Sequence, residues 1–269
     1  MSDDIRTWHH GLHARWWAEF AQGGDDVEHF RRAIAASGDP ALDVACGTGR
    51  LLVPLRRAGV DVDGCDVSAD MLAWCRRAAD AEGLGPSLYR QPVHALSLPR
   101  RYRTVFMCGA FGLGGTRRQD LEGLRRIRAH LEPGGTLLLD YDLPNHELAR
   151  GWSSWVRKPE LPQPWPTHVE THVTRDGSAI ETCYRVAAFD PLEQTLTREM
   201  RARHLVDGRE IATETHAIDI NIYFKREIEL MLETAGFRDI AVTAFGEDRP
   251  AEPWRDARIL FRARNVERV

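Results

Sequence analysis

The run Pro40-Ala41-Leu42-Asp43-Val44-Ala45-Cys46-Gly47-Thr48-Gly49-Arg50 constrains this chain more than any other stretch. Ala41 to Cys46 reads as a short buried strand, the glycines break it, and a helix opens at Arg50. In an open α/β sheet such a strand–turn–helix is where a nucleotide-like ligand lies. Gly47 and Gly49 carry no Cβ, so a ligand can rest on the backbone, and the helix N-terminus presents unpaired N–H groups. The spacing is neither the G-x-G-x-x-G of a dinucleotide loop nor the G-K-[ST] ending of a phosphate loop.

Further strand and helix signals follow in order. Val60 to Val67 is a second strand reaching Asp66, and a carboxylate at the end of that strand can accept hydrogen bonds from both hydroxyls of a ribose. Ser68 is placed to cap the next helix, which carries Met71. Leu88 to Gln91 forms a third strand ahead of the turn Gln91-Pro92-Val93-His94. Arg103 to Cys108 forms a fourth, followed by the glycine-rich loop 109–115. A helix over Asp120 to Leu131 ends at Glu132-Pro133-Gly134-Gly135, before a fifth strand from Thr136 to Tyr141. After residue 222 a helix burying Ile228, Met231, Leu232 and Ala235 stops at Gly236, ahead of strands at Asp239–Phe245 and Ala257–Ala263.

Asp43-x-Ala45-Cys46-Gly47-Thr48-Gly49 resembles the first motif of class I S-adenosylmethionine-dependent methyltransferases, with Ala45 where many members carry the first glycine. Asp66 to Leu72, the Pro-Gly-Gly turn and the Ala235-Gly236-Phe237 helix exit resemble later landmarks, so the resemblance covers residues 40 to 143 and 222 to 264. It implies an α/β fold, a seven-stranded doubly wound Rossmann-like sheet interrupted by an inserted antiparallel β-meander. The expected organisation is a helical N-terminal cover (1–39), a cofactor-binding core (40–150), an inserted lid or dimerisation sheet (151–221) and completion of the core (222–269). S-adenosyl-L-methionine is the implied cofactor. Its expected contacts are Asp43, Ala45, Gly47, Gly49, Asp66, Val67, Met71, Gln91, Val93 and Cys108. The adenine turn is a departure, because Pro92 stands where members often place an acid, leaving Gln91 and the backbone at Val93 and His94 for that role.

The implied reaction is methyl transfer to an N or O nucleophile of a small molecule, driven mainly by proximity because the cofactor carries the activated group. Phe111, Tyr141, Asp142 and Trp155 are the expected substrate contacts, as they lie on loops beyond the fourth and fifth strands, and Asn145 is a further candidate nearby. No catalytic base stands out; Tyr141 and His216 are the candidates. Two other readings are an enzyme that uses the aminocarboxypropyl arm of the same cofactor, and a non-catalytic cofactor-binding or dimer-scaffold protein.

Composition narrows the partner. A net charge of −4 gives no electrostatic footprint for nucleic acid or an anionic membrane. The N-terminus lacks an apolar leader, no apolar run approaches the roughly 18 residues that span a bilayer, and the five cysteines have no C-x-x-C spacing. These features suggest a cytoplasmic protein without a metal site, with a homodimer through the inserted sheet as a candidate assembly.

Two regions lie outside the resemblance. Residues 5 to 37 read as two helices around Gly23-Gly24, with Trp8, Leu12, Trp16 and Phe20 as a core-facing stripe and His9 and His13 solvated beside it; Trp8 and Trp17 are candidates to cover the cofactor. Residues 151 to 166 are rich in Trp and Pro, and then four alternating segments turn at Asp176-Gly177 and Asp207-Gly208. Two-residue turns there would set His172 opposite Glu181, Glu199 opposite His216 and Arg201 opposite Glu214.

Overall fold

The computed structural model describes residues 5–21, 23–144 and 160–266. The central sheet has seven strands in the order β10-β11-β5-β4-β1-β2-β3. Here β1 is Ala41–Val44, β2 Val62–Asp66, β3 Leu88–Arg90, β4 Tyr102–Met107, β5 Leu131–Asp142, β10 Arg238–Ala244 and β11 Arg258–Arg264. The five strands from β1 to β5 pair in parallel, while β11 runs antiparallel to both β5 and β10. Every residue of β1 is buried, as a parallel strand covered on both faces requires. The strand order reverses between β1 and β4, and a crevice opens at their carboxyl ends.

Helices α1 (Gly11–Phe20) and α2 (Asp25–Ser37) precede the sheet, and α3 (Leu52–Arg57), α4 (Ala69–Ala81), α5 (Arg117–His130) and α6 (Lys225–Thr234) follow within it. Ser68 caps α4 by accepting from the Met71 N–H, as expected. The helix expected from residue 5 begins only at Gly11, leaving residues 5–10, with Trp8 and His9, outside it. Two further boundaries differ from expectation. Helix α5 starts three residues early because Thr116 and Gln119 form a capping box, and β5 begins at Leu131 because that residue already pairs with Tyr102, absorbing Pro133-Gly134-Gly135 into an irregular strand start. Asn145 and Trp155 lie outside the described residues.

The second sheet is the expected meander: β6 (Glu170–Val173), β7 (Ala179–Asp190), β8 (Thr195–Val206) and β9 (Arg209–Asn221). Its register departs from expectation by one residue in each hairpin. The Thr174 N–H donates to the Ser178 carbonyl and the Gly177 N–H to the Thr174 carbonyl, closing a three-residue loop, so His172 pairs with Ile180 and Thr171 with Glu181. At the second turn Val206 does pair with Arg209, but an irregularity beyond Leu205 shifts the rest, setting Met200 opposite His216, Ala202 opposite Glu214 and Glu199 opposite Ala217. A one-residue slip moves side chains to the other face. His172, His204 and His216 therefore lie on the covered inner face with Ile180, Met200 and Ala202, while Arg185–Glu199 and Arg203–Glu181 ion pairs line the outer one.

Helix α1 packs on that inner face rather than on the central sheet, with Trp16 and Phe20 against the His172 ring at centroid distances of 5.5 and 4.9 Å. The expected solvation of its histidines is wrong. His13 is fully buried, donates from Nδ1 to the Trp8 carbonyl and accepts from Trp17 Nε1. Burial, reinforced by mutual repulsion with His9, pushes the His13 pKa down to about 3, and burial takes His9 to about 4. Both are neutral hydrogen-bonding groups at pH 7. Among the described residues, no helix is long and apolar enough to cross a membrane.

Candidate active site

The glycine turn after β1 is strained into shape. Ala45, Gly47 and Gly49 all take left-handed backbone angles, with φ of 59°, 56° and 84°. A Cβ on Gly49 would sit 2.7 Å from Cys75 Sγ and 2.9 Å from Val53 Cγ2, so this glycine lets the turn pack on α4 and α3. A Cβ on Gly47 would approach Met71 Cε to 3.1 Å. Asp66 locks the turn to the end of β2 by accepting from the Gly47 N–H at 2.9 Å and from the Ser68 N–H at 2.8 Å. Burial raises the pKa of both Asp66 and Asp43.

A cavity of about 730 Å³ opens over this turn. Of the ten residues expected at the cofactor, Asp43, Ala45, Gly47, Asp66, Val67, Met71, Gln91, Val93 and Cys108 line it; Gly49 does not, because its role is packing beneath. The Gln91 amide is committed to the Ser97 backbone in both directions, leaving its body as wall. The N-terminal segment roofs the space with Ile5, Thr7, Trp8, His9 and Trp17. That roof is tethered on two sides. The Gly11 N–H donates to Asp70 of α4 at 2.8 Å, the Leu12 N–H donates to Glu214 of β9 at 2.9 Å, and Ser68 Oγ donates to the His9 carbonyl.

The floor holds two guanidiniums that the sequence reading did not single out. Arg50 pairs with Asp26, and Arg258 of β11 donates from Nε to Asp140 at 2.8 Å. Each also reaches Cys108 Sγ, at 3.3 and 3.2 Å, so the two cations flank one thiol whose pKa burial pushes up to about 12. Arg50 had a signal in its place directly after the glycine turn. Arg258 had none, since its meaning comes from β11 lying against β5.

A second cavity, of about 530 Å³, lies beyond the β4 and β5 ends. Phe111, Tyr141 and Asp142 line its core side, together with Asp140, and the inner face of the inserted sheet supplies Val186, Phe189, Leu196, Arg198 and Ile220. The loop 109–115 is stitched to that sheet: Leu113 bridges Ile220, and the Asn221 N–H donates to the Gly112 carbonyl at 2.8 Å. Five residues, Gly109, Ala110, Leu113, Asp142 and Arg198, border both cavities, which therefore adjoin.

The two candidate bases fall in different places. His216 lines neither cavity and sits beside Glu214 at 3.2 Å. The Tyr141 hydroxyl accepts the Tyr223 N–H at 2.8 Å, and burial raises its pKa to about 12, so it is a wall and a strut with a poorly available proton. Asp120 completes this strut without having drawn notice in the sequence. Its buried carboxylate accepts from Tyr223 Oη and Asn221 Nδ2, both at 2.7 Å, tying the end of the insert to α5.

Residues 41–135 match a family model described as a methyltransferase domain. Among curated relatives, the dTDP-3-amino-3,4,6-trideoxy-alpha-D-glucopyranose N,N-dimethyltransferase of Streptomyces venezuelae is 28% identical over 138 residues, 51% of this chain and 56% of the relative. The chain thus spans about half the length of the curated relative it matches. Among solved structures, the sugar N-methyltransferase KedS8 from Streptoalloteichus superposes with a TM-score of 0.70 at 17% identity, covering 99% of this chain and 96% of that one. The CcbJ methyltransferase of Streptomyces caelestis gives 0.69 at 22% identity, covering 94% and 96%.

Proposed function

We propose that this chain, which carries the class I S-adenosylmethionine-dependent methyltransferase fold, moves the methyl group of that cofactor to an N or O nucleophile of a small molecule. The observation that carries this reading is the shared border: a cavity over the glycine turn opens beside a largely apolar one, as transfer between two bound reactants needs. Bound S-adenosylmethionine would supply an activated methyl on a sulfonium. Asp66 would take the ribose hydroxyls, Val67, Met71, Gln91 and Val93 would wall the adenine side, and Arg50 and Arg258 would meet the amino-acid carboxylate beside Cys108.

The chain's own part is then binding, alignment and exclusion of water. Phe111 and Tyr141 form an edge-to-face pair at 6.4 Å on the acceptor side, and the inserted sheet closes over them as a lid. An amine arriving neutral needs no strong protein base, which suits a pocket whose tyrosine hydroxyl is committed to the backbone and whose remaining ionisable lining is Asp140, Asp142 and the cation Arg198. The relatives that act on amino groups of sugars favour nitrogen as the nucleophile.

Incubation with S-adenosylmethionine and a panel of amino sugars and other amines tests the reading by product. S-adenosylhomocysteine formed in step with a methylated acceptor supports it. Methylthioadenosine would instead assign the aminocarboxypropyl chemistry, and no turnover with any acceptor would favour a binding protein. Within an active enzyme, Phe111→Ala should lower turnover more than cofactor affinity.

A further inference from the structure

The acceptor cavity's sheet-side wall is apolar except at one position. Residues opposed across antiparallel strands share a face, which puts Phe189, Leu196 and Ile220 in one row and Val186, Arg198 and Ile218 in the next. Arg198 is thus a cation set among aliphatic side chains on the inner face of the insert. Two arginines of the outer face are ion-paired, Arg185 with Glu199 and Arg203 with Glu181, and a third, Arg201, stacks on the Trp165 ring. No carboxylate of the described residues makes an ion pair with Arg198, and its cross-strand partners carry no charge. It is exposed and lines both cavities, and across their common border stands Asp142.

A guanidinium held among aliphatic side chains without a counter-ion is a ready acceptor of planar oxyanions, because its donors form a fixed fork. Resting on the methyl-transfer reading above, we propose that Arg198 is the anion-recognition residue of the acceptor site: the acceptor carries a carboxylate or phosphate close to its nucleophile, with an apolar body against Phe189, Leu196 and Ile220. The charged group meets Arg198 at the border, which directs the nucleophile toward the cofactor cavity, while Asp142 on the opposite wall suits an approaching amine. Arg198 is a specificity residue with no part in proton transfer.

The full-length protein saturated with S-adenosylhomocysteine is titrated calorimetrically with 4-(aminomethyl)benzoate, benzyl phosphate and benzylamine. At least one anionic probe should bind about tenfold or more tightly than benzylamine, and which one does so distinguishes carboxylate from phosphate. Arg198→Met should erase that preference, Arg198→Lys should keep part of it, and S-adenosylhomocysteine should bind both variants within about twofold of the native protein. Anionic probes that bind no better than benzylamine, or not at all, would overturn the proposal. So would an Arg198→Met protein that loses S-adenosylhomocysteine affinity instead, since the guanidinium would then serve the cofactor. Failure of the native protein to bind S-adenosylhomocysteine would bring down the methyl-transfer reading itself, a result separate from any probe preference.

Discussion

The two cavities share a border but are built by different rules. The cofactor side is made by a turn whose parts are close in sequence, sterically forced, and locked by a buried carboxylate: Ala45, Gly47 and Gly49 in left-handed angles, Asp66 on the Gly47 and Ser68 N–H groups. The acceptor side is assembled from loops of the core and strands of the insert far apart in the chain, and its wall is shaped by register. The first region has little steric room for change, and on the methyl-transfer proposal it meets one fixed cofactor. The second can change its ligand by altering side chains on one sheet face, without touching the turn.

The roof over the cofactor side is the largest lever on this contrast. His9 and His13 are neutral when folded, with pKa values far below their ordinary 6.5. Their contribution is therefore fully present above about pH 6.5 and is lost as pH falls toward 4, at up to about 1.4 kcal/mol per pH unit for each group. His10, His216 and Glu214 also face this nest. Tryptophan fluorescence followed from pH 7 to 4 should report release of Trp8, Trp16 and Trp17, and His13→Gln should flatten the change. A signal constant down to pH 4 in the native protein would refute the buried-neutral assignment.

Asp66→Ala comes next. Loss of its hydrogen bonds to the ribose should cost about 1.5–3 kcal/mol, or roughly ten- to more than a hundredfold in affinity for S-adenosylhomocysteine by calorimetry. Acceptor-side variants such as Phe111→Ala should leave that affinity nearly unchanged; equal losses in both would dissolve the distinction between the regions.

Tyr141→Phe sharpens it from the other direction. The substitution leaves the buried Tyr223 N–H without its partner, so stability in a urea melt should fall by about 1–2 kcal/mol while cofactor affinity holds. A stable variant with abolished turnover would instead make the hydroxyl catalytic. The smallest effect is expected at Ala45, whose φ of 59° suits glycine. Ala45→Gly relieves the backbone but loosens the unfolded chain, for a net gain of about 0.5–1 kcal/mol, read as a modest rise in melting temperature.

Legibility followed the same divide. The first-strand turn, the Ser68 cap and the meander were readable because each is a local requirement written in neighbouring residues, whereas the bond from the Gly47 N–H to Asp66 was not foreseen. The hairpin register was not. Asp176-Gly177 looks like a two-residue turn, yet Thr174 and Ser178 close a three-residue loop, and the shift beyond Leu205 leaves no mark in alternation alone. Arg258 and Asp120 were invisible for a further reason: each acts through partners more than a hundred positions away, Asp140 for one and Asn221 and Tyr223 for the other. His9 and His13 were misread as solvated because they are buried among Trp8, Trp16 and Trp17 and, for His13, against Tyr184 of the insert, contacts that the spacing of the helix does not reveal.

Gly11 and Leu12 hang from Asp70 and Glu214, one carboxylate on the core and one on the insert, in the stretch between Trp8 and Trp17, which line the cavity over the glycine turn. Under the proposed function, spent cofactor leaving by that side would part these hydrogen bonds and unseat Trp8 and Trp17. On the methyl-transfer proposal, departure becomes a timed event of its own, and the clock of the cycle would be set where the helix begins as much as where the methyl moves. Weakening either tether should quicken the exchange of S-adenosylhomocysteine for fresh cofactor, so that a chain chosen for grip on its cofactor trades away speed through those two carboxylates.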